Sequence, residues 1–187
     1  MKKLIVSNWI SLDGYISGPN GELDWILGDG QLAEYETTLM QQVDTTLFGR
    51  KTYEQLSQYW GAVPNNPQAM DWEKPYAEMI NAAHHVVVSH DLKDAAWGRS
   101  TVWRTIDPKA VEALKAGPGK SILMFGSASI VQQLMPLGLI DEYHLLVHPV
   151  LLGGGTLLFA DGARTKLKRV SAEPFASGIL KTVFQPA

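Results

Sequence analysis

The sequence predicts an α/β protein: a mixed, mostly parallel sheet covered by helices, with antiparallel strands at one edge. Three observations carry this. Through the first two thirds, short apolar runs of strand length alternate with segments whose apolar residues recur at helical spacing. The run Leu4-Ile5-Val6 is continuously apolar rather than alternating, which marks a central strand buried on both faces, and Ser121–Phe125 is another short apolar strand. The last third is dominated by strands, so the order changes from alternation to a terminal antiparallel group. The 187 residues suit one domain, residues 1–187, large enough for a substantial core.

Taken in order, residues 2–10 form a first, central strand. The Asp13-Gly14 pair makes a turn, and residues 15–30 are loop-like, with Trp25 and Ile26 beside carboxylates. Such a loop suits a lid over a pocket. Leu32, Tyr35, Leu39 and Val43 repeat at helical spacing, predicting a helix over 31–42. The strand Thr45–Phe48 then meets Gly49. A helix follows with Thr52 as its cap and with Tyr53, Leu56 and Trp60 on one face. Residues 61–71 are a loop, and Pro75 suits the first turn of a short helix to about Ala83. His85–Ser89 is a buried strand, and Thr101–Ile106 a shorter one. Asp107-Pro108 is a cap followed by a first-turn proline, and Gly117 stops that helix. Ser121–Phe125, Gly126 and a helix carrying Ile130, Val131 and Leu134 come next. Residues 139–150 and then 167–172 and 178–184 are strands, with the triple glycine 153–155 between them.

Two of these junctions carry chemistry. At Gly49 a buried strand breaks into Arg50-Lys51 and a helix; at Gly126 another breaks into Ser127-Ala128-Ser129 and a helix, where either serine can cap. A strand–glycine–helix corner aims free backbone N–H groups and the positive helix end at one point, which suits phosphate. One corner adds two cations and the other only small neutral groups. The pair fits a ligand with two phosphate centres, one of them a doubly charged monoester. An ordinary turn with solvated cations explains the first corner equally well when it is taken alone.

Composition narrows the classes. A net charge of −3 leaves no face-wide basic excess, which argues against general nucleic-acid or membrane-surface binding. The chain has no cysteine, so thiolate chemistry and disulfides are absent. No apolar run approaches 18 residues, so no membrane span is expected and a cytoplasmic protein is the default. His144 and His148 lie four apart on a strand, about 13 Å, too far to share an ion, and no metal is expected. No G-x-S-x-G elbow and no G-x-G-x-x-G fingerprint follows a strand. Asp13 is a candidate proton donor or substrate anchor, beside its simpler reading as a turn residue. Glu142 is a second candidate, beside its simpler reading as an edge-protecting charge.

Six segments together resemble the dihydrofolate reductase-like superfamily, in the branch of the reductase domain of bacterial riboflavin biosynthesis and its stand-alone relatives. They are SLDGYI at 11–16, FGRKTYE at 48–54 with Tyr59-Trp60 after it, VVVS at 86–89, FGS at 125–127, IDEYH at 140–144 and PVLLGGG at 149–155. The resemblance implies a three-layer α/β/α sandwich with NADPH across the carboxyl ends of the strands. It implies that Gly49, Arg50, Lys51 and Thr52 hold the adenosine 2′-phosphate and diphosphate, and that Ser89 lies near the adenosine. Phe125, Gly126, Ser127, Ala128 and Ser129 would meet the diphosphate, and Ser11 and Asp13 would border the nicotinamide and substrate. It further implies a homodimer and a small heteroaromatic or ribosylamino-pyrimidine substrate. In dihydrofolate reductase itself a carboxylate near the start of the first helix engages the pterin. Here Asp24 and Asp29 are nearest and neither is in register, which counts against dihydrofolate. Dihydrofolate reduction and nucleotide binding without turnover are the alternatives.

Overall fold

The computed structural model describes residues 1–159, 162 and 164–187. An eight-stranded sheet is built from β1 (Leu4–Ser11), β3 (Val43–Gly49), β4 (His84–Val88), β5 (Arg99–Trp103), β6 (Ser121–Phe125), β7 (Glu142–His148), β9 (Leu167–Pro174) and β10 (Leu180–Pro186). Its order is β5-β4-β3-β6-β1-β7-β10-β9. The six strands from β5 to β7 pair in parallel, and only β10 runs against them. The sheet is therefore mixed and mostly parallel, closed at one edge by an antiparallel pair.

Helices α1 (Gly30–Met40), α2 (Arg50–Ala62) and α3 (Glu73–Ala82) cover one face, and α4 (Pro108–Ala116) and α5 (Ala128–Leu134) the other. The continuous apolar strands explain both layers. On β1, Leu4, Val6 and Ile10 pack toward α4 and α5 with Val111, Val131 and Leu134, while Ile5 faces Leu39, Trp60, Tyr76 and Ile80. Two helix starts follow their sequence signals. Asp29 accepts from the Gln31 N–H at 2.6 Å and Asp107 from the Lys109 N–H at 3.0 Å.

Three local expectations need correction. Residues 15–30 are not all loop: β2 (Tyr15–Ser17) pairs antiparallel with β8 (Thr156–Leu157), tying the loop below it to the late glycines. α2 begins at Arg50 with Gly49 in the cap position, so Thr52 lies inside the first turn and caps nothing. β7 is paired on both sides, which leaves β9 and β5 as the free edges. All eight residues of β9 are exposed.

Candidate active site cleft

β3 and β6 are neighbours in parallel register, so their carboxyl ends deliver Gly49 and Gly126 side by side. The two corners are stitched through one hydroxyl. Ser127 Oγ accepts the Gly49 N–H at 2.6 Å and meets Thr52 Oγ1 at 3.1 Å. A Cβ on Gly49 would stand 2.7 Å from Ser127 Oγ, so any side chain there would push Ser127 out of this contact. Ser127 has φ 59, following Gly126 at φ 65. A non-glycine residue in this region is strained, and such strain concentrates at functional sites. Ser127 occupies the cap position of α5, yet its side chain caps nothing there, because its hydroxyl serves the other corner.

A cleft of about 830 Å³ opens over these corners. Gly49, Arg50, Lys51 and Thr52 line it from one corner and Phe125, Gly126, Ser127, Ala128 and Ser129 from the other. The structure thus brings together nine of the residues singled out in the sequence. Arg50 directs its guanidinium to both oxygens of Glu54 at 3.0 Å, with both side chains 41% exposed. Lys51 is exposed and makes no ion pair among the described residues.

The remaining candidates lie elsewhere. Ser89 follows β4 directly, with its hydroxyl accepting from the Asp91 and Leu92 N–H groups, and it does not line the cleft. Ser11 is buried, donates to Asp13 Oδ1 at 2.6 Å and accepts from the Tyr15 N–H. Asp13 also accepts from the Leu152 N–H at 3.1 Å and the Gly153 N–H at 2.8 Å. The Ser11 hydroxyl and these amides hold its carboxyl down to about 2. It is therefore ionised at neutral pH and committed to a loop, which corrects its expected part as proton donor.

Glu142 needs the same correction. It sits at the amino end of β7, opposite Ile5, whereas the cleft lies over the carboxyl ends. Burial raises its pKa, but Lys3, His144 and Gln185 outweigh that and hold it at about 2. His144 in turn meets the Tyr35 hydroxyl at 2.6 Å. The group is a structural network under the sheet.

Among the described residues, the carboxylate that lines the cleft is Glu36, which the sequence reading passed over. It projects from the middle of α1 beside Trp9, Leu56, Trp60 and Tyr76. Its Oε1 accepts from Trp9 Nε1 at 2.8 Å. Desolvation pushes its pKa up to about 7, against the lowering effect of that hydrogen bond. The signal was present: Glu36 stands four residues after Leu32 and three before Leu39, inside the buried stripe of the helix. A second missed residue is Asn8 on β1. It is 7% exposed and lines the cleft beside Gly126, and its Oδ1 is buried without a partner among the described residues.

Fold and cleft define a class: a mostly parallel α/β protein with a nucleotide-sized groove across two adjacent strand–glycine–helix corners. The RibD C-terminal domain family matches residues 2–181, and the chain belongs to that family. It is 34% identical over 184 residues to the uncharacterized protein YyaP of Bacillus subtilis (strain 168), across 98% of this chain and 94% of YyaP. The structure of a putative riboflavin biosynthesis protein from Shewanella sp. PV-4 superposes with a TM-score of 0.76 at 21% identity, covering 99% of each chain. Dihydrofolate reductase from Enterococcus faecalis, solved with NADP(H), superposes at 0.64 and 14% identity, covering 98% of this chain and 96% of that one. The fold is therefore that of the dihydrofolate reductase-like proteins.

Proposed function

We propose that the protein is an NADPH-dependent reductase that delivers hydride to a small heteroaromatic substrate. One observation supports this most: a single cleft joins a cation-bearing phosphate corner to an aromatic bay holding one carboxylate of raised pKa. The residues present fit the cofactor. Arg50 and Lys51 suit the 2′-phosphate, and the backbone at Gly49 and at Gly126–Ser129 suits the diphosphate. Asn8 Oδ1, buried without a partner, suits an N–H donor such as a carboxamide. When bound, the nicotinamide supplies the hydride. Trp9, Trp60 and Tyr76 form an apolar floor against which a flat ring can pack. Glu36, poised near neutrality, holds a proton within that bay for delivery to the reduced ring.

Glu36 also changes the standing of dihydrofolate. A carboxylate does face the cleft from the first helix, so dihydrofolate belongs in the substrate screen beside ribosylamino-pyrimidines. The experiment is direct titration of NADPH and NADH, followed by NADPH oxidation with each candidate. Failure of both nucleotides to bind would refute the reductase reading. Binding without oxidation by any candidate would favour a nucleotide-binding protein. On the same reading the protein is a cytoplasmic homodimer. The late strands near residues 145–152 are the expected contact; β7 is paired on both sides, so the proposed contact is the neighbouring β9, exposed along its whole length. Light scattering showing a single 20.6 kDa chain at micromolar concentration would refute the dimer.

A further inference from the structure

Resting on the reductase reading, we propose that the ring end of the cleft takes a substrate without a phosphate: an N–H-rich, neutral or cationic heterocycle. Charge placement carries this. Among the described residues lining the cleft, the cations are Arg50 and Lys51, both at the β3–α2 corner. The cofactor's own phosphates claim that corner. At the other end stand Trp9, Leu56, Trp60 and Tyr76 around Glu36, with no Lys or Arg among them.

The sequence explains why. No Lys, Arg or His occurs between Lys3 and Arg50, and that stretch carries seven carboxylates. From that stretch come Trp9 on β1, the loop residues Pro19, Asn20, Gly21 and Leu23, and Glu36 on α1; of its seven carboxylates, Glu36 alone lines the cleft among the described residues. Phosphate monoesters are recognised by cations or by several convergent N–H donors, and a nearby carboxylate opposes them. Glu36 presents the reverse chemistry. Its Oε1 is satisfied by Trp9, while Oε2 accepts no hydrogen bond among the described residues, which leaves it for a ligand donor. A ring bearing amino or ring N–H groups satisfies that oxygen; a phosphoribosyl tail brings a dianion beside the Glu36 carboxylate, with no cation lining that end among the described residues. The relatives named for riboflavin biosynthesis do not transfer their substrate to this chain on fold alone.

The test uses the full chain saturated with NADP⁺, so that binding is read without turnover. Dissociation constants are measured by calorimetry for an aminopyrimidine ribosylamine and for its 5′-phosphate. The unphosphorylated compound is expected to bind about tenfold or more tightly than its phosphate. In Glu36→Gln that discrimination is expected to shrink to less than about threefold, with NADP⁺ affinity unchanged. Equal affinities, or tighter binding of the phosphate, would overturn the proposal, as would a discrimination untouched by Glu36→Gln. If neither compound binds while NADP⁺ does, the substrate class is wrong but the reductase reading stands. Loss of NADP⁺ binding itself would be the failure of that reading.

Discussion

The two ends of the cleft are cut from similar material and end in opposite chemistry. At the phosphate end, β3 and β6 stop at glycines and expose backbone, so the polar groups are amides, and the charges are two surface cations. At the ring end the strand β1 continues through Trp9, and the polar group is one carboxylate drawn into an aromatic bay. Arg50 is partly exposed and Lys51 exposed, whereas Glu36 is half-buried and desolvation raises its pKa. The first end suits holding a charged ligand, and the second suits moving a proton. Predictions that act on one end and spare the other put this division to the test.

The largest effect is expected at the phosphate end. Replacing Arg50 and Lys51 together by Ala removes two charge-assisted contacts, each worth about 1.5–3 kcal/mol. NADPH affinity should fall roughly 10²- to 10⁴-fold if the two add. NADH should lose much less, because backbone donors remain at both corners. Paired titrations with circular dichroism on the mutant measure this. Equal losses would mean that the cations serve the diphosphate or the fold. The Arg50–Glu54 pair adds a refinement: Glu54→Gln frees the guanidinium and should tighten NADPH modestly.

At the ring end, Glu36→Gln should lower turnover by roughly 10²-fold while NADPH still binds. It should also change stability with a definite sign. The folded pKa of Glu36 is raised, so the folded state holds this proton more tightly than the unfolded chain. Its contribution therefore favours folding at pH 5 relative to pH 8 and is lost as pH rises through about 7. His85, His144 and His148, all lowered by burial, act in the opposite direction. The informative quantity is thus the difference between wild type and Glu36→Gln in denaturant melts at the two pH values. That difference should move in favour of the mutant on going to pH 8. A constant difference would place the Glu36 pKa in the ordinary carboxylate range.

Between the two ends, Ser127→Ala should act on both cofactors alike. It leaves the Gly49 N–H without its partner and uncouples Thr52. Loss of one hydrogen bond, worth about 0.5–1.5 kcal/mol, corresponds to a roughly 2- to 12-fold loss, equal for NADPH and NADH. A selective loss for NADPH would show that the stitch positions the cations rather than the corners.

What the sequence made legible and what it hid separate along physical lines. The corners were legible because strand, glycine and helix are contiguous, and continuous apolar strands announce a sheet covered on both faces. Pairing was not. Glu36 gains meaning only when Trp9, 27 positions earlier, donates to it. β2 and β8 are three and two residues long, too short for any periodicity to show. The start of α2 was misplaced because Thr52 has the chemistry of a cap; in the fold its hydroxyl is drawn to Ser127, which is 75 residues away. The case of Asp13 is similar, since two of its three partners arrive 139 and 140 residues later.

That last residue gives the smallest expected effect. Asp13 Oδ1 accepts from the Ser11 hydroxyl and the Leu152 N–H, and Oδ2 from the Gly153 N–H. Asn is close in shape but not in charge or donors. Its carbonyl oxygen can keep the first two contacts, while its NH₂ must then face the Gly153 N–H, donor against donor. Asp13→Asn should therefore loosen the loop carrying Leu152 and Gly153 without touching the cleft, which Asp13 does not line. Turnover should change by less than about threefold, since no proton passes through this carboxylate. The melting temperature should fall by about a few degrees. Asp13→Ala removes all three contacts and should lower it further. With a folded pKa depressed to about 2, the contribution of Asp13 is present above its unfolded value and is lost as pH falls toward 2. The gap between wild type and Asp13→Ala should accordingly be full at pH 7 and narrow in strong acid. A turnover loss of 10²-fold in Asp13→Asn with an unchanged melting temperature would return Asp13 to the chemistry and leave Glu36 to explain.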